Sequence, residues 1–232
     1  VVTAVAGARE GLKVVLLEPG AHLGGMATGG LSRTDFGRKE VIGGYALEFY
    51  WRVGRKYEIQ RFAQDVAWFY EPKVGEQVFR EMLDEAGVTV RLHHRLREKT
   101  GVEKSGNQVT TITTENGARF AGRIFADCSY EGDLMAQSGI SYTFGREAQA
   151  QYGEALAGVR EHTPKHQFLV RVSPYDDKGK LLPEVDPGPR EAPGSADKKV
   201  QAYNFRMILS EDPANQVAYP KPANYDPKRY EL

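Results

Sequence analysis

The chain has 232 residues, with 31 Lys plus Arg against 31 Asp plus Glu, 41% hydrophobic residues and one cysteine. Zero net charge lacks the basic excess of a phosphate-binding surface, so nucleic acid is not the expected partner. No stretch approaches the roughly 18 apolar residues of a membrane-spanning helix, and Cys128 alone builds neither an internal disulfide nor a Cys/His zinc cluster.

Val1 to Arg9 alternates small and apolar residues, as a helix packed on a sheet does, and Gly11 stops it. Lys13 to Leu17 is a short run rich in β-branched residues and reads as a buried parallel strand. It ends in Glu18. A carboxylate at the carboxyl end of the second strand of a βαβ unit is placed to accept hydrogen bonds from a ribose hydroxyl, and it disfavours a 2′-phosphate. The loop LGGMATGG, Leu23 to Gly30, follows. Its small residues let a backbone approach a ligand closely and offer free N–H groups, so Gly24, Gly25, Met26, Ala27 and Thr28 are candidate cofactor-binding residues. These features read as the second half of a dinucleotide-binding unit. The fingerprint G-x-G-x-x-G that opens the helix of such a unit is not in the sequence. The chain is therefore expected to be a fragment that begins inside that helix.

Thr34 to Gly44 reads as a loop, and Tyr45 to Gly54 and Ile59 to Tyr70 as aromatic-rich helices. Pro72 to Ala86 gives the clearest helix: Pro72 suits its first turn, Val74, Val78, Phe79, Met82 and Leu83 form a helical stripe, and Gly87 ends it. Val88 to Leu92 and Leu96 to Lys99 read as strands. Gln108 to Glu115 and Arg119 to Phe125 read as a hairpin about Asn116-Gly117, the second strand running into a buried stretch, Ile124 to Ala126. From Tyr152 prolines become frequent; 176–199 reads as a Pro-rich linker and Val200 to Leu209 as a strand. The expected fold is α/β: a Rossmann-like parallel sheet with an inserted hairpin over 1–151, then the beginning of a mixed α+β region over 152–232. His93 and His94 are adjacent and face opposite sides of a strand, so no metal site is expected.

The first thirty residues, TDFG at Thr34 to Gly37, FYEPKVGEQVFREML at Phe69 to Leu83, FADCSYEGDLMAQSGISYTFGREA at Phe125 to Ala148, and QAYNFRMIL at Gln201 to Leu209 cover nearly the whole chain. In this order they resemble the bacterial FAD-dependent oxidoreductases with a glutathione-reductase-like fold, some of which carry the label xanthan lyase. The resemblance implies FAD as cofactor and a small organic substrate, sugar-like or carboxylated, that gives hydride to the flavin. It implies that Gly24 to Thr28 run beside the pyrophosphate and ribityl chain, and that Leu96 lies where these proteins read the adenine through the backbone. DCSYEGD at Asp127 to Asp133 resembles their second motif, Asp-Ala-Thr-Gly-Asp-Gly-Asp, which makes Asp127, Ser129 and Asp133 candidate FAD contacts. Tyr130 departs from the wider pattern, where a Gly stands.

No catalytic residue can be named. His22, Arg33, Thr34, Asp35, Asn204 and Arg206 are candidates near a flavin or substrate, and Arg33 is the residue type that favours a reduced anionic flavin. Cys128, lone and next to an apolar run, reads as a small hydrophobe. Two alternatives stand beside the oxidoreductase. One is a polysaccharide lyase, for which no base beside a charge-neutralising group is readable. The other is a binding module that has lost its cofactor. Without the phosphate loop the chain is expected to hold FAD weakly or not at all.

Overall fold

The computed structural model describes residues 1–58, 66–163, 165, 168–189, 191–201 and 206–230. They form a mixed α/β chain with two compact units, Val1–Ser141 with Phe205–Ile208, and Tyr142–Asn204 with Leu209–Leu232.

The first unit opens with helix α1 (Val2–Arg9), which Gly11 ends at φ 81°. Strand β1 (Val15–Leu17) follows and pairs in parallel with β2 (Thr89–Arg91), Val15 against Thr89 and Leu17 against Arg91. Two helices separate the strands, α2 (Gly44–Lys56) and α3 (Pro72–Glu85). The stripe expected on α3 is what buries it: Val78, Phe79, Met82 and Leu83 are all buried, and meet Val5 of α1 with Phe49 and Val53 of α2. Phe49 stacks on Phe79 at 4.2 Å between centroids and meets Tyr70 edge-on at 5.6 Å, geometries aromatic pairs favour. Gly87 reverses the chain at φ 71°, and Val88 starts the next strand from a hydrogen bond to the Leu83 carbonyl (3.0 Å).

A separate antiparallel sheet holds β3 (Val102–Ser105), β4 (Gln108–Thr113) and β5 (Arg119–Ala121) in sequence order. The Asn-Gly hairpin joins β4 to β5, but only Gly117 takes positive φ (86°). Asn116 works through its side chain, which accepts from the Thr114 hydroxyl (2.6 Å) and the Ala118 N–H (3.1 Å) and donates to the His93 carbonyl (3.1 Å).

Several expected elements differ. Leu96 to Lys99 is not a strand: Leu96 makes one antiparallel bridge to Thr114, and Lys99 at φ 61° turns the chain into β3, which the sequence reading omits. Ile124 to Ala126 is not buried and not a strand. β5 stops at Ala121, no strand among the described residues runs beside this stretch, and Ile124 is 82% exposed. Residues 66–70 are irregular rather than helical, because Thr34 N–H donates to Trp68 (3.1 Å) and Tyr70 N–H to Ser32 (3.2 Å) across the Arg33–Phe69 bridge. The part of that expected helix over 59–65 lies outside the described residues. So do 202–205 of the expected strand at 200–209, whose described residues are not strand. Two short helices, α4 (Asp133–Gln137) and α5 (Gln149–Tyr152), were not expected.

The second unit is mostly irregular. Arg146 and Asp197 pair through both backbones (3.1 and 3.2 Å) and through their side chains, and the guanidinium holds the Asp197 carboxyl down to about 2. Val159 and Leu182 are its buried apolar residues among those described. No described helix is long and apolar enough to cross a membrane.

Candidate functional site

β1 delivers Glu18 to the end of the parallel pair. The ladder continues one step past it: Glu18 N–H donates to Arg91 (2.9 Å), and His94 N–H donates to the Glu18 carbonyl (2.9 Å). The half-buried carboxylate accepts from Gly20 N–H through Oε1 (2.8 Å), which sets the turn at Pro19-Gly20.

The loop after it is clamped to α3. His22 bridges the Thr28 carbonyl (2.7 Å) and the Glu76 carboxylate (2.6 Å), and Leu23 N–H reaches the same carboxylate at 3.3 Å. Burial works to raise the Glu76 carboxyl, but Arg80, the Leu23 N–H and His22 outweigh it and hold it below the usual carboxylate range. Thr28, 1% exposed, donates its hydroxyl to the Leu23 carbonyl. Tyr70 donates to the Ala27 carbonyl (2.8 Å), and burial pushes its phenol up to about 12. Small residues here serve packing. A Cβ on Gly75 would stand 2.7 Å from the Tyr70 ring, and one on Gly24 would stand 2.8 Å from the Phe79 ring. Outward the loop is open, with Met26 62% exposed.

The segment Asp127 to Asp133 folds on itself. Asp127 Oδ1 accepts from the Ser129 N–H (3.0 Å) and hydroxyl (2.7 Å), and Oδ2 accepts from Met135 N–H (3.0 Å), capping the start of α4. The Ser129 oxygen accepts from Gly132 N–H (3.0 Å), and Asp133 is exposed in the first turn of α4. Partial burial raises the Asp127 carboxyl, but hydrogen bonds from Ser129, Met135 and Leu134 outweigh it, so its value is depressed. A depressed carboxyl stabilises the fold above its unfolded value, and that contribution is lost as pH falls through the folded value. We expect amide exchange at Met135 to accelerate as pH drops below about 4, beyond the intrinsic pH dependence of exchange. Asp127→Asn should open this turn at neutral pH and remove that acid step. Equal Met135 protection factors on both sides of the acid range would refute the capping role.

Tyr130 is the residue the sequence reading undervalued. Its hydroxyl accepts from Met26 N–H at 2.6 Å and would clash with a Cβ on Gly25, so the departure from Gly joins the two candidate segments. The signal was the large aromatic itself, among small residues. Tyr130→Phe should cost about 1 kcal/mol or less, since the phenol is mostly exposed. It should raise amide exchange at Met26 selectively; unchanged exchange there would count against the bond. Cys128 is exposed rather than packed as a hydrophobe, its sulfur 3.8 Å from the Thr3 hydroxyl in the first turn of α1.

The first turn of α1 and the Gly24–Thr28 loop are thus both joined to Asp127–Tyr130, through Cys128–Thr3 and Tyr130–Met26, while Glu18 stands at the end of β1, before the loop that begins at Leu23. Leu96 stands further along, paired with Thr114 in the hairpin base; its link is through His93, whose N–H donates to Gly20 (3.0 Å). Arg33 is exposed and lies over the Phe69 ring (5.5 Å), Thr34 donates to the Tyr50 hydroxyl (3.3 Å), and Asp35 is exposed. Arg206 packs its Cβ 3.0 Å from where a Gly30 side chain would begin, and Asn204 lies outside the described residues. Among the described residues no group of His, Cys, Asp and Glu is arranged to hold a metal ion.

No curated protein matches the chain. The model of the family described as FAD dependent oxidoreductase matches it from residue 1 to residue 232, its whole length, and the chain therefore belongs to that family.

Proposed function

We propose that the chain contributes the nucleotide-binding part of an FAD-dependent oxidoreductase that takes hydride from a small organic substrate, sugar-like or carboxylated. Membership of the family brings FAD as the cofactor, and bound flavin supplies the acceptor for the hydride. Residues 1–151 would hold the cofactor within a Rossmann-like sheet, and 152–232 would begin the substrate region.

This chain's own part is to bind and orient. Glu18 would hold a ribose hydroxyl: one carboxylate oxygen is committed to Gly20, and the other has no protein donor among the described residues. The Gly24–Thr28 backbone, with Asp127, Ser129 and Asp133, would line the chain of the nucleotide, and Leu96 would face the adenine. The observation that carries the reading is the 2.6 Å bond from Met26 N–H to Tyr130. It brings the glycine loop and the DCSYEGD segment together, two stretches far apart in sequence that both resemble flavin-binding motifs.

The test is a visible absorption spectrum of the protein after incubation with FAD and removal of free cofactor. Retained flavin bands that bleach anaerobically with a sugar or hydroxy-acid donor would support the reading. Because weakly held FAD is lost with the free cofactor, the same protein is also titrated into FAD at equilibrium, and no change in FAD fluorescence at any protein concentration would sink the reading.

A further inference from the structure

His93, just past the end of β2, sits at φ 57°, a left-handed backbone that a residue with a Cβ rarely takes. Along an extended strand, successive N–H groups point to opposite sides; a left-handed residue turns them the same way. Here both reach one target. His93 N–H donates to the Gly20 carbonyl (3.0 Å), and His94 N–H donates to the Glu18 carbonyl (2.9 Å). The strained residue therefore holds the turn at Pro19-Gly20 through two adjacent donors.

The antiparallel hairpin holds His93 from the other side. The Asn116 amide donates to the His93 carbonyl (3.1 Å). Asn116 is exposed, but its side-chain oxygen is fixed by the Ala118 N–H (3.1 Å) and by the hydroxyl of the fully buried Thr114 (2.6 Å). Phe120 of β5 also meets the His94 ring edge-on at 5.6 Å. Three hydrogen bonds then stand in series: Asn116 amide to His93 carbonyl, His93 N–H to Gly20 carbonyl, and Gly20 N–H to Glu18 Oε1 (2.8 Å). They end on the carboxylate proposed above to hold a ribose hydroxyl.

We infer that Asn116 is a positioning residue for the nucleotide site, which aims the Glu18 carboxylate from the hairpin turn without touching the cofactor. The residue type suits the task, because one amide accepts at its oxygen and donates at its nitrogen. Strain at a residue that joins two elements at a site is a recurrent feature of binding sites. The inference rests on the FAD-binding reading above and adds to it a control on the orientation of Glu18.

The test uses Asn116→Asp, which keeps both accepted bonds and loses the donor toward His93. Asn116→Ser is the second variant: its hydroxyl still accepts from Ala118 but is too short to reach His93. FAD affinity is measured by equilibrium fluorescence titration in the parent, in each variant, in Glu18→Ala and in the double variants, with amide exchange at Gly20 followed without cofactor. Both Asn116 variants should bind FAD about fivefold more weakly, the worth of one neutral hydrogen bond. Neither should weaken binding further once Glu18 is alanine, the sign of two residues acting as one. Exchange at Gly20 should quicken in both. A merely structural role predicts the same loss with and without Glu18, and that result would overturn the inference, as would unchanged exchange at Gly20. Parent and Asn116 variants that bind FAD alike would overturn it and leave FAD binding standing. A parent that binds no FAD would overturn both.

Discussion

Gly24→Ala should cost about 3 kcal/mol, from a left-handed backbone and an overpacked core acting together. Gly24 sits at φ 109°. The new methyl would land against the Thr28 hydroxyl, 2.8 Å from the Thr28 methyl and 2.8 Å from the Phe79 ring. Neither neighbour can yield. Thr28 is buried and bonded to Leu23, and Phe79 is stacked on Phe49. Against a typical total of about 5–15 kcal/mol, this loss is large. Gly11→Ala is the control: φ is 81° there, but nothing lies within 4 Å of a Cβ, so only the backbone penalty applies. Urea denaturation of the two variants separates the effects. If Gly24→Ala loses no more stability than Gly11→Ala, the packing account of this glycine is wrong.

Glu18→Ala should weaken FAD binding about ten- to a hundredfold, the worth of charge-assisted hydrogen bonds to a ligand hydroxyl. Thermal stability should fall only slightly, because the one protein bond lost is that from Gly20 N–H. Glu18→Gln separates the contributions: its amide oxygen keeps the Gly20 contact, so affinity should fall while stability holds. Titration by flavin fluorescence beside thermal melting decides it. Full FAD affinity in Glu18→Ala would remove Glu18 from the site.

The parts of this fold legible in the sequence are those whose signal is local. α3 declares itself because Val78, Phe79, Met82 and Leu83 repeat at the helical period and all point into one core. β1 and β2 are legible as apolar runs closed by turn residues; the structure trims their ends, and β1 is not the buried strand expected, since Val15 is exposed and Leu16 and Leu17 are only partly covered beside its single partner β2. Val102–Ser105 escaped notice because Val-Glu-Lys-Ser carries little apolar signal; the Gly106-Asn107 turn after it, with Gly106 at φ 60°, was the available clue. Ile124 to Ala126 misled for the opposite reason. Apolar residues announce a willingness to be buried, and burial also needs a neighbour to cover them. In the site, residue types at Glu18 and Gly24–Thr28 were readable. Their partners Glu76, Tyr70 and Tyr130 were not, since nothing in a sequence marks which distant side chain will close on a given backbone group.

Those distances bear on how the protein comes into being. The loop's anchors lie 43, 53 and 104 positions along the chain, at Tyr70, Glu76 and Tyr130. Loop-closure entropy grows with such separations, and contacts of long range form late. During synthesis the loop emerges well before any residue able to hold it, and Tyr130 comes last. The helices can collapse around Phe79 while the ligand-facing edge still lacks its final bond. The same order run backwards makes that edge the first to let go, so slow hydrogen exchange should begin in α3 and fade toward Met26.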